Sequence, residues 1–140
     1  MQLVVKNDCV GIEWEDVAAT LQLAGMAFHD PDKHRRAFEA SYAVVFLYDS
    51  GKLIGFGRAI SDGEYQAAIY DCAVTPSYQG KGLGRVLMEN LHAGIAHCNI
   101  ILYASPGKEG FYEKHHFRRM KTGMALFTDR DSKKEKGFTE

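Results

Sequence analysis

A glycine-rich segment, Gln79-Gly80-Lys81-Gly82-Leu83-Gly84-Arg85, carries the residue types that point most directly to chemistry in this chain. Glycine at every second position lets the backbone turn tightly and approach a ligand without Cβ clashes. The helix predicted after the segment offers unpaired N–H groups and the positive end of its dipole. These features are typical of a phosphate or pyrophosphate site, with Lys81 and Arg85 as charges at the rim. A flexible strand-to-helix turn is the alternative interpretation.

Two familiar phosphate-binding motifs do not describe this segment. The P-loop pattern GxxxxGK(S/T) is absent between Gly80 and Arg85. The dinucleotide pattern GxGxxG also fails, because Arg85 stands where the third glycine belongs. The loop by itself therefore predicts a phosphate ligand without naming it.

The elements that must position this loop alternate between strands and helices. Apolar residues recur at every fourth position from Leu83 to Ile95, which predicts a helix directly after the loop. Pro76 ends the strand before the loop, because proline cannot donate to a strand ladder. The predicted strands are 1–5, 42–48, 53–60, 65–74, 99–103 and 124–128, and the predicted helices are 14–27, 31–40, 83–95 and 106–115. This order predicts a mixed α/β fold around one sheet.

The composition is that of one globular domain. The chain has 140 residues, 46% of them apolar and 25% charged, with a net charge of −1. Such a balance argues against a nucleic-acid partner. Residues 1–128 are predicted to form the domain, and 129–140, with one phenylalanine and no apolar period, a charged flexible tail.

Neither a metal site nor a membrane segment is predicted. The 3 cysteines contain no CxxC pair, and the 6 histidines show no metal-ligand spacing. No apolar run approaches the roughly 20 residues that span a bilayer, and the N-terminus lacks the layout of a signal peptide. A cytoplasmic location is the expectation.

Three segments together resemble the GNAT superfamily of N-acetyltransferases. The family's loop reads (Q/R)-x-x-G-x-(G/A), which residues 79–84 match at every defined position. Cys72-Ala73-Val74-Thr75-Pro76 resembles the end of the family's bulged fourth strand, and Gly110-Phe111-Tyr112-Glu113-Lys114-His115-His116-Phe117 resembles its FYEKLGF segment. The resemblance covers most of the chain. It implies a central mixed, mostly antiparallel sheet flanked by helices and splayed between the fourth and fifth strands.

The resemblance also implies acetyl-CoA as the co-substrate and assigns residues to it. The backbone of Cys72, Ala73 and Val74 would pair with the pantetheine arm, and the N–H groups of 80–85 would bind the pyrophosphate. Ser105 stands where many members have asparagine, and it would bond the pantetheine or cap the next helix. His116 replaces the glycine of the family's segment, which is expected to alter the turn after Tyr112.

For the reaction, the resemblance makes Tyr112 the acid that protonates the leaving thiolate. The base stays open. Histone-type members carry a glutamate at the position of Ala68, so that residue cannot serve here. Asp71 matches an acidic position of small-molecule acetyltransferases, and Tyr70 is beside it; either would act through ordered water. A purely structural carboxylate is the alternative for Asp71.

The acceptor is predicted to be a small-molecule amine, walled by residues 26–32 and 120–124. Phe28, His29, Asp30 and Asp32 are candidates to bind it, and a solvated turn between helices is the alternative. A protein amine, a non-catalytic acyl-CoA-binding module and an acetyltransferase acting on tRNA are the competing functions. A homodimer is compatible with the sequence.

Overall fold

The computed structural model describes all 140 residues, which form two compact units, Met1–Leu102 and Tyr103–Glu140. The first unit contains a five-stranded sheet and three helices. Its elements are β1 (Leu3–Lys6), α1 (Trp14–Leu23), α2 (Pro31–Glu39), β2 (Ala43–Asp49), β3 (Lys52–Ser61), β4 (Gln66–Val74), a 3-10 turn (Pro76–Tyr78), α3 (Leu83–Ile95) and β5 (Asn99–Ile101). The second unit contains α4 (Glu109–Glu113) and α5 (Arg130–Glu135).

The sheet follows the chain in its strand order, β1-β2-β3-β4-β5. The first four strands pair antiparallel with their neighbours, and β5 alone runs parallel to β4. The parallel return is made through α3, as a crossover connection requires. The predicted mixed and mostly antiparallel sheet flanked by helices is therefore confirmed.

Helices α1 and α2 cover the sheet through an aromatic and aliphatic core. Phe38, Phe46 and Phe56 are fully buried and lie in tilted or edge-on contact, with ring centroids 5.5–6.4 Å apart. Val17 and Leu21 from α1 pack into the same cluster. Helix α1 ends earlier than predicted, at Leu23, because Gly25 takes a left-handed backbone (φ +74°) that stops the helix.

The last predicted strand, 124–128, is wrong. These residues have no strand partner, and the side chains of Met124 and Leu126 are 97% and 91% exposed. The apolar residues suggested a strand, but backbone pairing also requires a neighbouring strand, which local composition does not encode.

The C-terminal segment is more ordered than its charge suggests. Residues Arg130–Glu135 form α5, which the sequence analysis did not predict. Phe138 beyond it lies edge-on to the rings of Tyr103 and Phe127, and the Lys133 ammonium stands 5.0 Å from the Phe138 ring centroid. A single aromatic residue, with no apolar period around it, anchors the segment. The division of the chain at residue 128 stays a prediction.

Candidate active site

An opening in the sheet lies between β4 and β5. The two strands pair only from Gln66 with Asn99 to Ala68 with Ile101. Strand β4 then continues to Val74 without a partner on this side, while its other edge stays paired to β3 as far as Gly55. The predicted splay between the fourth and fifth strands is confirmed, and it leaves one backbone edge of 72–74 open.

A bulge in β4 lies beside this opening. Phe56 pairs with Ala73 and Arg58 pairs with Tyr70, so β4 carries an extra residue between these two pairs. Asp71 takes up the irregularity with a left-handed backbone (φ +55°), which is uncommon for any residue other than glycine. The bulged strand expected from Cys72 to Pro76 is therefore present, and its distortion begins at Asp71.

The Asp71 carboxylate is tied to an arginine that the sequence analysis did not single out. Nε of Arg58 donates to Oδ2 of Asp71 at 2.7 Å, in a pair that is largely shielded from solvent. The same guanidinium lies 5.5 Å from the Tyr70 ring centroid and 5.7 Å from the Phe38 ring centroid. Arg58 on β3 therefore links the bulge at Asp71 to the ring of Tyr70 on β4 and to the ring of Phe38 on α2. The sequence around Arg58 predicts an ordinary strand residue, so its contact with Asp71 could not be predicted from it.

Cys72, the next residue of the bulge, turns its thiol toward β3. A Cβ atom placed on Gly57 would lie 2.8 Å from the Cys72 Sγ, so only glycine leaves room for this side chain. Removal from solvent, with a smaller contribution from Asp71, raises the pKa of the Cys72 thiol to about 12. This shift favours the protonated thiol at neutral pH and argues against a thiolate nucleophile.

The glycine-rich loop carries free backbone donors. Gly80 and Gly82 both have φ +80°, and a Cβ atom on either would point into open space. None of the N–H groups from 80 to 85 donates to the protein; the first helical bond is that of Val86 to the carbonyl of Gly82. The side-chain amide of Gln79 donates to the carbonyl of Val74 at 3.0 Å, which ties the loop to the end of β4. Gln79 thus has a structural role as well as its place in the motif.

The two cations of the loop behave differently. Nζ of Lys81 lies 5.1 Å from the Tyr78 ring centroid, and Lys52 approaches the same ring at 5.5 Å. The Tyr78 hydroxyl donates to Asp49, which lowers the pKa of that carboxyl. Arg85 is paired with Glu89 at 2.7 Å on the exposed face of α3. Lys81 therefore belongs to a positive group at the loop, whereas Arg85 is engaged along its own helix.

Two predicted residues, Ser105 and Tyr112, lie in the second unit. Ser105 does not cap α4, which has Lys108 at its N-cap and no side-chain cap; the Ser105 carbonyl instead accepts the N–H of Lys108. Tyr112 is half-buried, and its ring lies edge-on to Phe111 and Phe117. His116 takes a left-handed backbone with φ +72°. The glycine-like turn after Tyr112 is therefore kept, although a histidine occupies it.

Comparison with known proteins decides what this loop and bulge belong to. A family model described as an acetyltransferase (GNAT) domain matches residues 16–125. This chain is a member of the GNAT acetyltransferase family. The match spans the bulge, the loop and the Tyr112 segment, so the resemblance read from these motifs is confirmed at the level of the family.

Two curated plant relatives and one solved structure show how far the similarity reaches. Serotonin N-acetyltransferase 2, chloroplastic, of Oryza sativa subsp. japonica is 38% identical in a 116-residue alignment that covers 77% of this chain and 58% of that protein. GCN5-related N-acetyltransferase 1, chloroplastic, of Arabidopsis thaliana is 32% identical in a 114-residue alignment that covers 78% of this chain and 58% of that protein. A probable acetyltransferase from meticillin-resistant Staphylococcus aureus has a TM-score of 0.80 at 29% identity, covering 90% of this chain and 99% of that one. The chain therefore spans less than two thirds of the plant relatives and almost the whole bacterial structure.

Within this GNAT fold, sequence analysis missed two buried or half-buried polar contacts. Arg58 binds Asp71, and His34, only 3% exposed, accepts a hydrogen bond from the α1–α2 loop. Arg58 meets its partner across two strands, whereas the partner of His34 lies only five residues earlier in the chain. For His34, the sequence offered only its position on the inner face of α2, and a histidine at such a position is equally consistent with core packing.

No group of three or more His, Cys, Asp or Glu is arranged to hold a metal ion, and no helix is long and apolar enough to cross a membrane.

Proposed function

We propose that this protein transfers the acetyl group of acetyl-CoA to the primary amine of a small molecule by direct attack in a ternary complex. The observation that carries the proposal is the row of free N–H groups from 80 to 85, placed directly after the open edge of β4. Free donors at a helix N-terminus suit the pyrophosphate of coenzyme A. An open strand edge suits the amide groups of its pantetheine arm.

The residues present fit this co-substrate. Gly80 and Gly82 leave open space where a side chain would otherwise meet a phosphate. Leu83, Gly84 and Arg85 contribute N–H groups from the first turn of α3. Lys81 adds positive charge beside them. Cys72, Ala73 and Val74 offer the backbone edge, and Ser105 is proposed as a further contact to the pantetheine.

Direct attack is favoured over a covalent acyl-enzyme. Burial raises the pKa of the Cys72 thiol to about 12, which disfavours it as an acyl carrier at neutral pH. In direct attack the amine nitrogen, freed of its proton, bonds to the thioester carbon and the carbon–sulfur bond breaks. A backbone N–H near Val74 is proposed to stabilise the oxyanion. Tyr112 is proposed to give the leaving thiolate its proton.

The base that deprotonates the amine is proposed to be Asp71 or Tyr70, acting through water. The ion pair with Arg58 engages one oxygen of the Asp71 carboxylate, so Asp71 has at least in part a structural role. Tyr70 lies over the same guanidinium on the neighbouring position of β4. Exchanging Asp71 for asparagine therefore changes the bulge as well as the chemistry, and Tyr70→Phe is the cleaner test of a base.

The acceptor is proposed to be a small amine with an aromatic body. The rice relative is named a serotonin N-acetyltransferase, which makes arylalkylamines the first class to test. Phe28, exposed at 47%, and the exposed carboxylates of Asp30 and Asp32 suit an aromatic ring and an ammonium group. A protein amine is the second candidate acceptor. A cytoplasmic location, a homodimer and the absence of nucleic-acid and membrane partners are proposed from sequence alone.

The direct test is a panel of amines assayed for acetyl-CoA-dependent release of coenzyme A, beginning with arylalkylamines and including polyamines, amino sugars and lysine peptides. We expect turnover with at least one arylalkylamine and little with peptides. Acetyl-CoA binding without turnover on any amine would instead identify an acyl-CoA-binding module.

A loop variant tests the co-substrate site in the same assay. Gly82→Asp adds a negative charge where the pyrophosphate is proposed to lie, so the Kd for acetyl-CoA should rise at least about tenfold. Gly25→Asp is the matched control, because Gly25 has a similar left-handed backbone (φ +74°) with open space around it and lies far from the loop in sequence. Equal Kd values for the two folded variants would contradict the loop assignment.

A further inference from the structure

Helix α2 buries a histidine that the proposed chemistry does not use. His34 is 3% exposed, and its Nε2 accepts a hydrogen bond from the backbone N–H of His29 with a nitrogen–nitrogen distance of 2.8 Å. The two imidazole centroids are 5.4 Å apart. A ring that accepts at Nε2 is neutral and carries its proton on Nδ1, because a protonated imidazole has no acceptor.

This bond fixes the loop between α1 and α2 at its second end. The first end is held by Met26, whose N–H donates to the carbonyl of Leu21 and whose side chain packs against the core. Phe28 lies between the two anchors and keeps 47% of its surface exposed. The loop is thus held at Met26 and at His29, and it presents an aromatic side chain outward between them.

The buried imidazole also lies near the bulge of β4. Phe38, one turn further along α2, contacts the Arg58 guanidinium, which in turn binds Asp71. Burial lowers the pKa of His34, the charge of Asp71 opposes this, and the charges of His29, Arg58 and Lys33 add to the lowering. Asp71 is therefore the one anion among the charged groups that face His34.

We propose that His34 is a positioning residue, which holds the α1–α2 loop in place for the acceptor amine as long as its imidazole is neutral. The proposal rests on the proposed acetyl transfer and adds to it a specific cause of acceptor affinity. Protonation of His34 turns Nε2 into a donor facing the His29 N–H, so the bond is lost and the loop is released. No hydrogen bond or ring contact joins His34 to the glycine-rich loop, so acetyl-CoA affinity should change much less than amine affinity.

The direction of the pH effect follows from the lowered pKa. The folded state favours the neutral ring, so the His34 contribution is fully present above the ordinary pKa of 6.5 and is lost as the pH falls through the lower folded value. The loop is therefore held at neutral pH and released in acid.

Three variants separate positioning from other causes. His34→Gln places an amide oxygen near the position of Nε2 and cannot titrate, so it keeps the bond at every pH. His34→Leu removes the acceptor at every pH. His92→Gln, at an exposed histidine of α3, is the matched control.

In the acetyl-transfer assay, the wild-type KM for the amine should rise as the pH falls through the lowered pKa of His34, with the KM for acetyl-CoA unchanged. Loss of one hydrogen bond corresponds to about a two- to tenfold change. His34→Leu should show the raised amine KM at all pH values, and His34→Gln should show no rise of this kind where wild-type His34 becomes protonated. Protonation of the amine itself affects every variant equally and cancels in this comparison. A His34→Gln enzyme with the wild-type pH dependence would overturn the proposal.

Hydrogen exchange at the His29 amide tests the same bond without any substrate. Its protection factor should fall in the wild type as the pH drops through the lowered pKa of His34, stay constant in His34→Gln and be low throughout in His34→Leu. If no amine is acetylated, the proposed function fails while this measurement still decides whether His34 holds the loop. Protection that is unaffected by both pH and His34→Leu would overturn the proposal even in an active enzyme.

Discussion

At the scale of single residues, the candidate site depends on backbone positions with unusual angles. Gly80, Gly82, Asp71 and His116 all have φ between +55° and +80°. Glycine takes such angles without strain, whereas a residue with a Cβ pays about 1–2 kcal/mol. Asp71 is compensated by its ion pair with Arg58. Exposed His116 has no comparable ion pair, so the two residues are expected to respond differently to substitution.

Replacing the tyrosine hydroxyl tests the proposed acid. Tyr112→Phe keeps the ring and its edge-on contacts with Phe111 and Phe117, so folding should be preserved. Because proton donation typically contributes about 10²–10⁴-fold, kcat should fall by that order with little change in acetyl-CoA affinity. Steady-state kinetics on an identified amine measures this, with the exposed Tyr65→Phe as control. If chemistry limits the rate and the Tyr112→Phe enzyme keeps the wild-type kcat, Tyr112 is not the acid and solvent must protonate the thiolate.

A glycine at position 116 should stabilise the protein. His116→Gly removes the strain of the left-handed backbone, which stabilises the folded state by about 1–2 kcal/mol. Glycine also raises the entropy of the unfolded chain, which destabilises the folded state by about 0.5–1 kcal/mol. A net gain of up to about 1.5 kcal/mol in the free energy of unfolding is expected from urea denaturation. His115→Gly is the matched control and should destabilise, because His115 has no positive φ and its ring lies 4.8 Å from that of Phe111. Destabilisation by both substitutions would show that the His116 side chain stabilises the fold by more than the strain of its left-handed backbone destabilises it.

At the scale of elements, the bulge of β4 and the glycine-rich loop form one continuous arrangement. The bulge displaces Cys72 toward β3, where Gly57 makes room for it. The strand then ends at Pro76, and Gln79 ties the following loop back to the carbonyl of Val74. Helix α3 begins at Leu83 with its N–H groups free. The position of the free donors thus depends on the geometry of the strand before them.

A methyl group on β3 should disturb this arrangement. Gly57→Ala places a Cβ atom 2.8 Å from the Cys72 Sγ and 3.4 Å from the Leu87 side chain. Overpacking of this kind costs about 1–3 kcal/mol, and the displaced bulge should also raise the Kd for acetyl-CoA. Gly94→Ala inside α3 is the control; its Cβ atom meets Ala43 at an ordinary 3.5 Å, and it should stabilise by about 0.5–1 kcal/mol. Equal stability of the two variants in urea would mean that Cys72 moves aside without cost.

At the scale of the whole molecule, the chain consists of a sheet-containing unit, Met1–Leu102, and a C-terminal unit, Tyr103–Glu140. All proposed residues of the pyrophosphate loop and of the bulge belong to the first unit. Tyr112 and Ser105 belong to the second, whose rings of Tyr103, Phe127 and Phe138 pack on one another. Binding and proton donation are therefore assigned to different parts of the chain.

Truncation after residue 128 tests the C-terminal segment. Removing Phe138 deletes two aromatic contacts of about 0.5–1.5 kcal/mol each, so the Tm should fall. Turnover at a temperature well below the Tm should be kept, since no proposed site residue lies beyond position 128. A chain shortened after residue 138 keeps Phe138 and serves as the control. An unchanged Tm would support the flexible tail predicted from the sequence. A loss of turnover would show that part of the segment contributes to the site.

The sequence by itself determined the family, the order of the elements through α4 and the glycine-rich loop proposed to bind the pyrophosphate. These follow from local causes: the helical period from Leu83 to Ile95, the stop at Pro76 and the glycines at 80, 82 and 84. Even the bulge was expected near Cys72, because a motif of adjacent residues marks it.

Only the tertiary structure decided which polar side chains meet. Arg58 and Asp71 are 13 residues apart and come together through the register of β3 and β4. Gly57 faces Cys72 because the bulge shifts the strand by one residue. The segment 124–128 had the composition of a strand and formed none, since pairing depends on a neighbour that no local pattern specifies. Residue types and local periods set what each segment can form, and long-range packing sets what it contacts.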